Sequence, residues 1–206
     1  MNAANRSRPE SDKGELRRQQ VLDAATACFR QEGIHGSSIA RISQAAGMSP
    51  GHIYHYFANK EAIVEAIAER EEHDMADLVR RIAQDEEGGD LVARLCRHIP
   101  ESVDRNSDPA YVGMILELGA EAARNQAVAD ILRRSDQAIS TQFHDMIESV
   151  GAPAWLDEAE LKLRMEMIAA VLQGLAMRSL INPDRNRATT ARFVEAIIRS
   201  LLEERP

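Results

Sequence analysis

The run from Ser37 to Lys60, SSIARISQAAGMSPGHIYHYFANK, leaves the chain few choices. Ser37 or Ser38 can cap a helix in which Ile39 and Ile42, with Ala45 or Ala46, point inward at helical spacing. Gly47 supplies the permissive backbone that a sharp turn needs, and Met48 is apolar enough to pin that turn to a core. Ser49 is a good N-cap, with Pro50 at the first helical position, where a missing N–H costs nothing. In this second helix Ile53 and Phe57 lie four apart and face inward, which turns Gly51, His52, Tyr54, His55 and Tyr56 outward. Solvated helix faces usually carry Lys, Glu and Ala. Two histidines, two tyrosines and a glycine suit contact with another surface, and two short helices about one turn suit the DNA major groove.

The same residues carry a resemblance. The series Ile39, Ile42, Gly47, Ser49, Ile53, Tyr54, Phe57 and Lys60 resembles the DNA-binding signature of the TetR family of transcriptional regulators. With the preceding helix, from Gln20, it covers about a fifth of the chain, and its Tyr-x-x-Phe-x-x-Lys tail is its most specific part. The family usually has His immediately before the Phe, where this chain has Tyr56, a phenol that can still donate to a phosphate. By position in the motif, the resemblance places His52 at base edges, with Pro50 and Gly51 allowing close approach. It places Tyr54, Tyr56 and Lys60 at phosphates, with Ser38 and Arg41 reaching from the preceding helix. Ser49 and His55 complete the expected DNA-binding set.

Charge distribution agrees with this reading. The net charge is -8, from 25 Lys and Arg against 33 Asp and Glu. Residues 1–60 hold eight Lys or Arg against five Asp or Glu, +3, so the remainder holds 17 against 28, -11. The basic end is the end with the motif, and the acidic remainder would repel DNA and favour one docking orientation. Cys28 and Cys96 sit inside apolar helical patterns and read as buried, reduced thiols. No apolar run approaches the roughly 20 residues needed to span a bilayer, and no stretch of signal-peptide type opens the chain. The expectation is a soluble, cytoplasmic protein.

No segment alternates with period two, so the fold should be all-α, with about nine helices. Residues 1–13 are polar and should be an unordered arm. Residues 14–60 should form a three-helix domain, its first helix running from about Glu15 to Glu32 and burying Val21, Leu22, Ala25, Cys28 and Phe29 ahead of Gly33. Residues 61–206 should form a larger helical domain for ligand and dimer, as the resemblance also implies. A rod capped by Asn59 should run from Lys60 to about Asp85, until Gly88 and Gly89 break the chain. Further helices should follow caps at Asp90, at Asn106 or Ser107, at Asn125, at Asp157 and near Asn186, with Pro100 ending or kinking one of them.

Catalytic chemistry finds no support. There is no glycine-rich phosphate loop and no nucleophile elbow, and His52 and His55 lack a nearby Cys or carboxylate to complete a metal site. The reading is therefore a dimeric regulator, most often a repressor in the family, on a palindromic operator, with no catalytic residues, metal or cofactor. A small, largely apolar effector would release it, and the alternative is control by a protein partner. An effector cavity is expected among the helices from Asp90 to Ile181. Its lining would come from Met114, Glu117, Leu118 and Glu121, with Phe143 and Met146 from the next helix and Met167 from the one after. The two carboxylates would favour a cationic ligand. The helix after Asp157 carries two apolar stripes, one with Leu161, Met165, Ile168, Leu172 and Leu175, the other with Met167, Ala170, Val171, Gly174 and Met177. It needs two partners, so it should make the dimer contact beside Phe193, Ile197 and Leu201.

Overall fold

The structure, a computed structural model, describes residues 8–204, with side chains from residue 13. Ten α-helices and no strand occur among the described residues. They are α1 (Arg8–Gly36), α2 (Ile39–Ala46), α3 (Pro50–Tyr56), α4 (Lys60–Ala83), α5 (Leu91–Arg97), α6 (Ile99–Arg105), α7 (Pro109–Ala122), α8 (Gln126–Val150), α9 (Glu158–Ile181) and α10 (Arg187–Glu203). The all-α expectation holds, with one helix more than expected because Pro100 opens α6 after a one-residue break at His98 instead of ending the run. Proline at a first helical turn removes only an N–H that has no partner there.

Local chemistry explains most helix starts. Ser38, Ser49, Asp90, Asp157 and Asn186 are extended N-cap residues, each accepting a hydrogen bond from a backbone N–H in the first turn. Asn59 caps α4 through Ala62 N–H at 2.8 Å. For α7 the cap is Asp108, which accepts from Tyr111 N–H at 2.8 Å, not Asn106 or Ser107. Helix α1 begins at Arg8, earlier than expected. Residues 1–7 of the expected arm lie outside the described residues.

The chain divides into two compact units, Met1–Glu71 with Glu117–Ser135, and Glu72–Leu116 with Asp136–Pro206. The division falls within α4, α7 and α8. In the first unit Val21, Leu22, Cys28, Phe29, Ile42, Ile53 and Phe57 are buried, as are Ile63 and Ile67 of α4, Leu118 of α7 and Val128 of α8. Helices α1–α3 alone would leave that apolar surface in water, at about 1.5–3 kcal/mol per large side chain. The second unit is built on Val79, Ile82, Leu91, Leu95, Ile99, Val103, Met146, Ile147, Leu161, Ile168, Val194, Ile198 and Leu202, with Met165, Leu172 and Leu175 packed against them. Cys28 and Cys96 are free and buried, and burial pushes both thiols up.

Candidate nucleic-acid interface

The turn between α2 and α3 is closed by hydrogen bonds that its residue types dictate. Gly47 is left-handed, at φ 64° and ψ 32°. Its N–H donates to Gln44 O at 3.2 Å, and Met48 N–H donates to Ser43 O at 2.9 Å, which satisfies the last carbonyls of α2. Gln20 of α1 donates its amide to Ala46 O at 2.7 Å, tying the same helix end to α1. Ser38 Oγ accepts from Arg41 N–H at 3.1 Å and Ser49 Oγ from His52 N–H at 3.2 Å, so both serines act as caps.

Ile53 is fully buried and Phe57 nearly so, which rolls the other face of α3 outward. Pro50, Gly51, His52, Tyr54 and His55 are exposed, and Tyr56 is half-buried. The rings are mutually arranged. His52 stacks on Tyr56 with centroids 5.5 Å apart and planes 16° apart, while His55 meets the same ring edge-on at 5.1 Å and 79°. The phenol thus sits between two imidazoles one turn apart.

Both fixed cations of the run are engaged by the protein itself. Arg41 Nε donates to Glu32 Oε1 of α1 at 2.7 Å. The Lys60 ammonium donates to the carbonyls of Ile34 at 2.5 Å, Ser37 at 3.2 Å and His35 at 3.4 Å. In this structure the three donors of the ammonium expected at a phosphate meet three carbonyls exposed where α1 ends. Beside them, Arg18 of α1 lies over the Phe57 ring, 5.3 Å from its centroid, and reaches Glu69 at 3.4 Å.

Glu117, Leu118 and Glu121 belong to the first unit, and Met114, Phe143, Met146 and Met167 to the second. Glu117 accepts from Ile34 N–H at 2.7 Å, just past Gly33, whose φ of 76° and ψ of 157° suit only glycine. Glu121 is buried. It accepts from Arg124 Nε at 2.7 Å and from Asn125 at 3.2 Å. Burial alone would push its carboxyl up, but the Asn125 hydrogen bond, the Arg124 bond and charge, and His35 outweigh burial and hold it below the usual range. Both carboxylates therefore have partners within the protein. Met114, Leu118 and Met146 are buried, Phe143 packs on the second core, and Met167 is exposed.

A feature absent from the sequence reading is an open groove of about 320 Å³ in the second unit. It is lined by Ala76, Val79, Arg80 and Ala83 of α4 and by Gln142, Asp145, Met146 and Ser149 of α8. Gln142 Oε1 is buried without a hydrogen-bond partner. Small residues at helical spacing read as core from sequence, so only Met146 was anticipated. Also on α8, His144, Asp145 and Glu148 bring potential metal-ligand atoms within 4.8 Å of one another, but all three are exposed.

Comparison with known proteins gives two non-overlapping matches. Residues 21–67 match the family described as bacterial regulatory proteins, tetR family, and residues 91–204 match the C-terminal part of BetI-type transcriptional repressors. The chain is 31% identical over 195 residues to the HTH-type transcriptional repressor Rv1474c of Mycobacterium tuberculosis, covering 89% of this chain and 93% of that protein. It is 26% identical over 179 residues to the HTH-type transcriptional regulator UidR of Escherichia coli, covering 86% and 75% respectively. Among solved structures, Salmonella enterica GusR superposes with a TM-score of 0.75 at 27% identity, over 92% of this chain and 96% of that one.

Proposed function

From the premise that this chain belongs to the tetR family of bacterial regulatory proteins, we infer how a DNA-binding transcriptional regulator of this sequence works. It is a cytoplasmic repressor that grips a palindromic operator as a homodimer and lets go when a small, largely apolar effector binds. Residues 14–60 carry the DNA face, and residues 61–206 carry the effector and dimer faces. The observation that supports this best is the doubly capped helix-turn-helix, which buries Ile53 and Phe57 and leaves Gly51, His52, Tyr54 and His55 open to a groove.

The apolar face left on α9 and α10 favours the dimer. Leu163, Met167, Met177, Leu180, Phe193 and Ile197 are each at least 40% exposed, whereas the opposite stripes fill the core. Two copies of that pair would close into a four-helix contact about a twofold axis, and the two recognition helices would then need to lie about 34–36 Å apart on the duplex. The groove between α4 and α8 is the favoured effector site, with Val79 and Met146 as apolar wall and Gln142 Oε1 as an acceptor in want of a donor. An effector that prefers the wrong spacing shifts the population away from DNA, and a few kcal/mol of preference suffices.

The test is a gel shift of the full chain on the duplex upstream of its own coding region, repeated with lipophilic compounds. Expected are a saturable shift at nanomolar protein and its loss with one compound class. A Gln142→Leu chain that keeps the shift should respond less to that class. Release that is unchanged in Gln142→Leu would remove the groove from the effector site. An enzyme of this fold would instead show no sequence-dependent shift.

A further inference from the structure

Within the helix-turn-helix the permanent positive charges are spent, and this sets how the helix must read DNA. From Ser37 to Lys60 the sequence contains no Asp or Glu, and its only Lys or Arg residues are Arg41 and Lys60. Arg41 is ion-paired with Glu32, and Lys60 is bonded to three carbonyls. Helix α3 itself has neither Lys nor Arg. Its exposed polar groups are the imidazoles of His52 and His55 and the phenol of Tyr54, with Tyr56 half-buried between the imidazoles.

We propose that His52 and His55 bind DNA as imidazolium ions, with His52 donating to a guanine and operator binding taking up protons. This rests on the DNA-binding reading above and goes beyond it. Histidine is the side chain whose charge ordinarily changes between about pH 5 and 8, so it supplies a conditional cation where no permanent one is free. The His52 ring lies flat on Tyr56, a face that attracts a cation, and His55 sits in the last turn of α3, at the negative end of the helix dipole. Charged groups on the elements around α3 include Arg41 paired with Glu32, Arg18 over Phe57, and both Lys60 and Glu61 at the start of α4. Arg41 and Lys60 are already engaged, so the approaching phosphates are the strongest new charges that the imidazoles meet.

Protonation also decides base preference. An imidazolium has two N–H donors and no acceptor. It therefore suits guanine, whose major-groove edge offers N7 and O6, and it does not suit adenine, which pairs an acceptor with a donor. By linkage, a complex that takes up protons as it forms tightens as pH falls, by at most about tenfold per pH unit for each proton taken up.

The experiment is selection of the full chain against a random-sequence duplex pool at about pH 6 and about pH 8, followed by titration of the winning duplex and of a random duplex. For the wild type, specific affinity should be tighter at the lower pH by roughly tenfold or more, and guanine should be enriched at one position of each half-site. His52→Gln should flatten that pH dependence and move the preference toward adenine, which Gln can bind bidentately. His55→Gln should flatten it further without moving any base. Folding is monitored by circular dichroism, and because all three proteins are compared on the same duplexes, a variant that only loses stability would not change its base preference. Equal pH dependence in the wild type and in His52→Gln would overturn the proton uptake and leave DNA binding intact. Failure of the wild type to enrich any sequence at either pH would overturn the DNA-binding reading, and the inference with it.

Discussion

At the scale of single residues, the informative outcomes are charged groups that the fold uses for itself. Lys60 reads as a phosphate ligand but terminates α1, because the carbonyls of Ile34, His35 and Ser37 have no helical partners and an ammonium satisfies all three. Lys60→Met should therefore lower stability by about 2 kcal/mol in urea unfolding. It should leave the salt dependence of operator binding unchanged, and a slope reduced by about 0.9 would return Lys60 to a phosphate. Glu121 behaves similarly, as its carboxylate is buried on Arg124 and Asn125. Because the folded carboxyl is held below its usual range, its contribution is complete above the ordinary glutamate value of about 4.3 and is lost as pH falls through the depressed value. Glu121→Gln should be less stable by about 1–2 kcal/mol at neutral pH. It should also lose less on further acidification, so wild-type and variant stabilities converge at low pH. Parallel acid limbs in chemical denaturation would contradict this.

Among the helices, α9 is the one that a single chain does not satisfy. Its stripe of Leu161, Met165, Ile168, Leu172 and Leu175 faces the core, whereas Met167 and Met177 stay in water beside Phe193 and Ile197 of α10. Val171 was expected on the outer stripe and packs on the core instead, since the two stripes meet at that position. Burying exposed side chains of this size yields about 1.5–3 kcal/mol each before the costs of association. Light scattering should thus give twice the 22.9 kDa chain mass. Phe193→Glu should move that mass toward the monomer at micromolar concentration while the helical circular dichroism signal is kept. A Phe193→Glu chain that remains dimeric would place the interface elsewhere.

For the whole molecule, effector and operator must be coupled in both directions. If an effector weakens operator binding by some factor, operator DNA must weaken effector binding by the same factor. Calorimetric titration of the effector with and without saturating operator, beside the reverse titration, should return equal ratios, typically 5- to 150-fold. Unequal ratios would mean that the compound acts on the DNA or on aggregation. What the sequence settled alone is local: the caps at Ser49, Asp90 and Asp157, the turn at Gly47, the inward pair Ile53 and Phe57, and the all-α class. Each follows from hydrogen bonds or apolar spacing within a few residues, so no distant partner can overrule it. What only the tertiary structure decided are pairings across long separations. Glu117 meets Ile34 N–H, Lys60 meets the end of α1, and Gln142 is left without a donor between α4 and α8. A carboxylate, an ammonium or an amide looks the same in sequence whether it serves a ligand or the fold, and only the backbone brought beside it distinguishes the two.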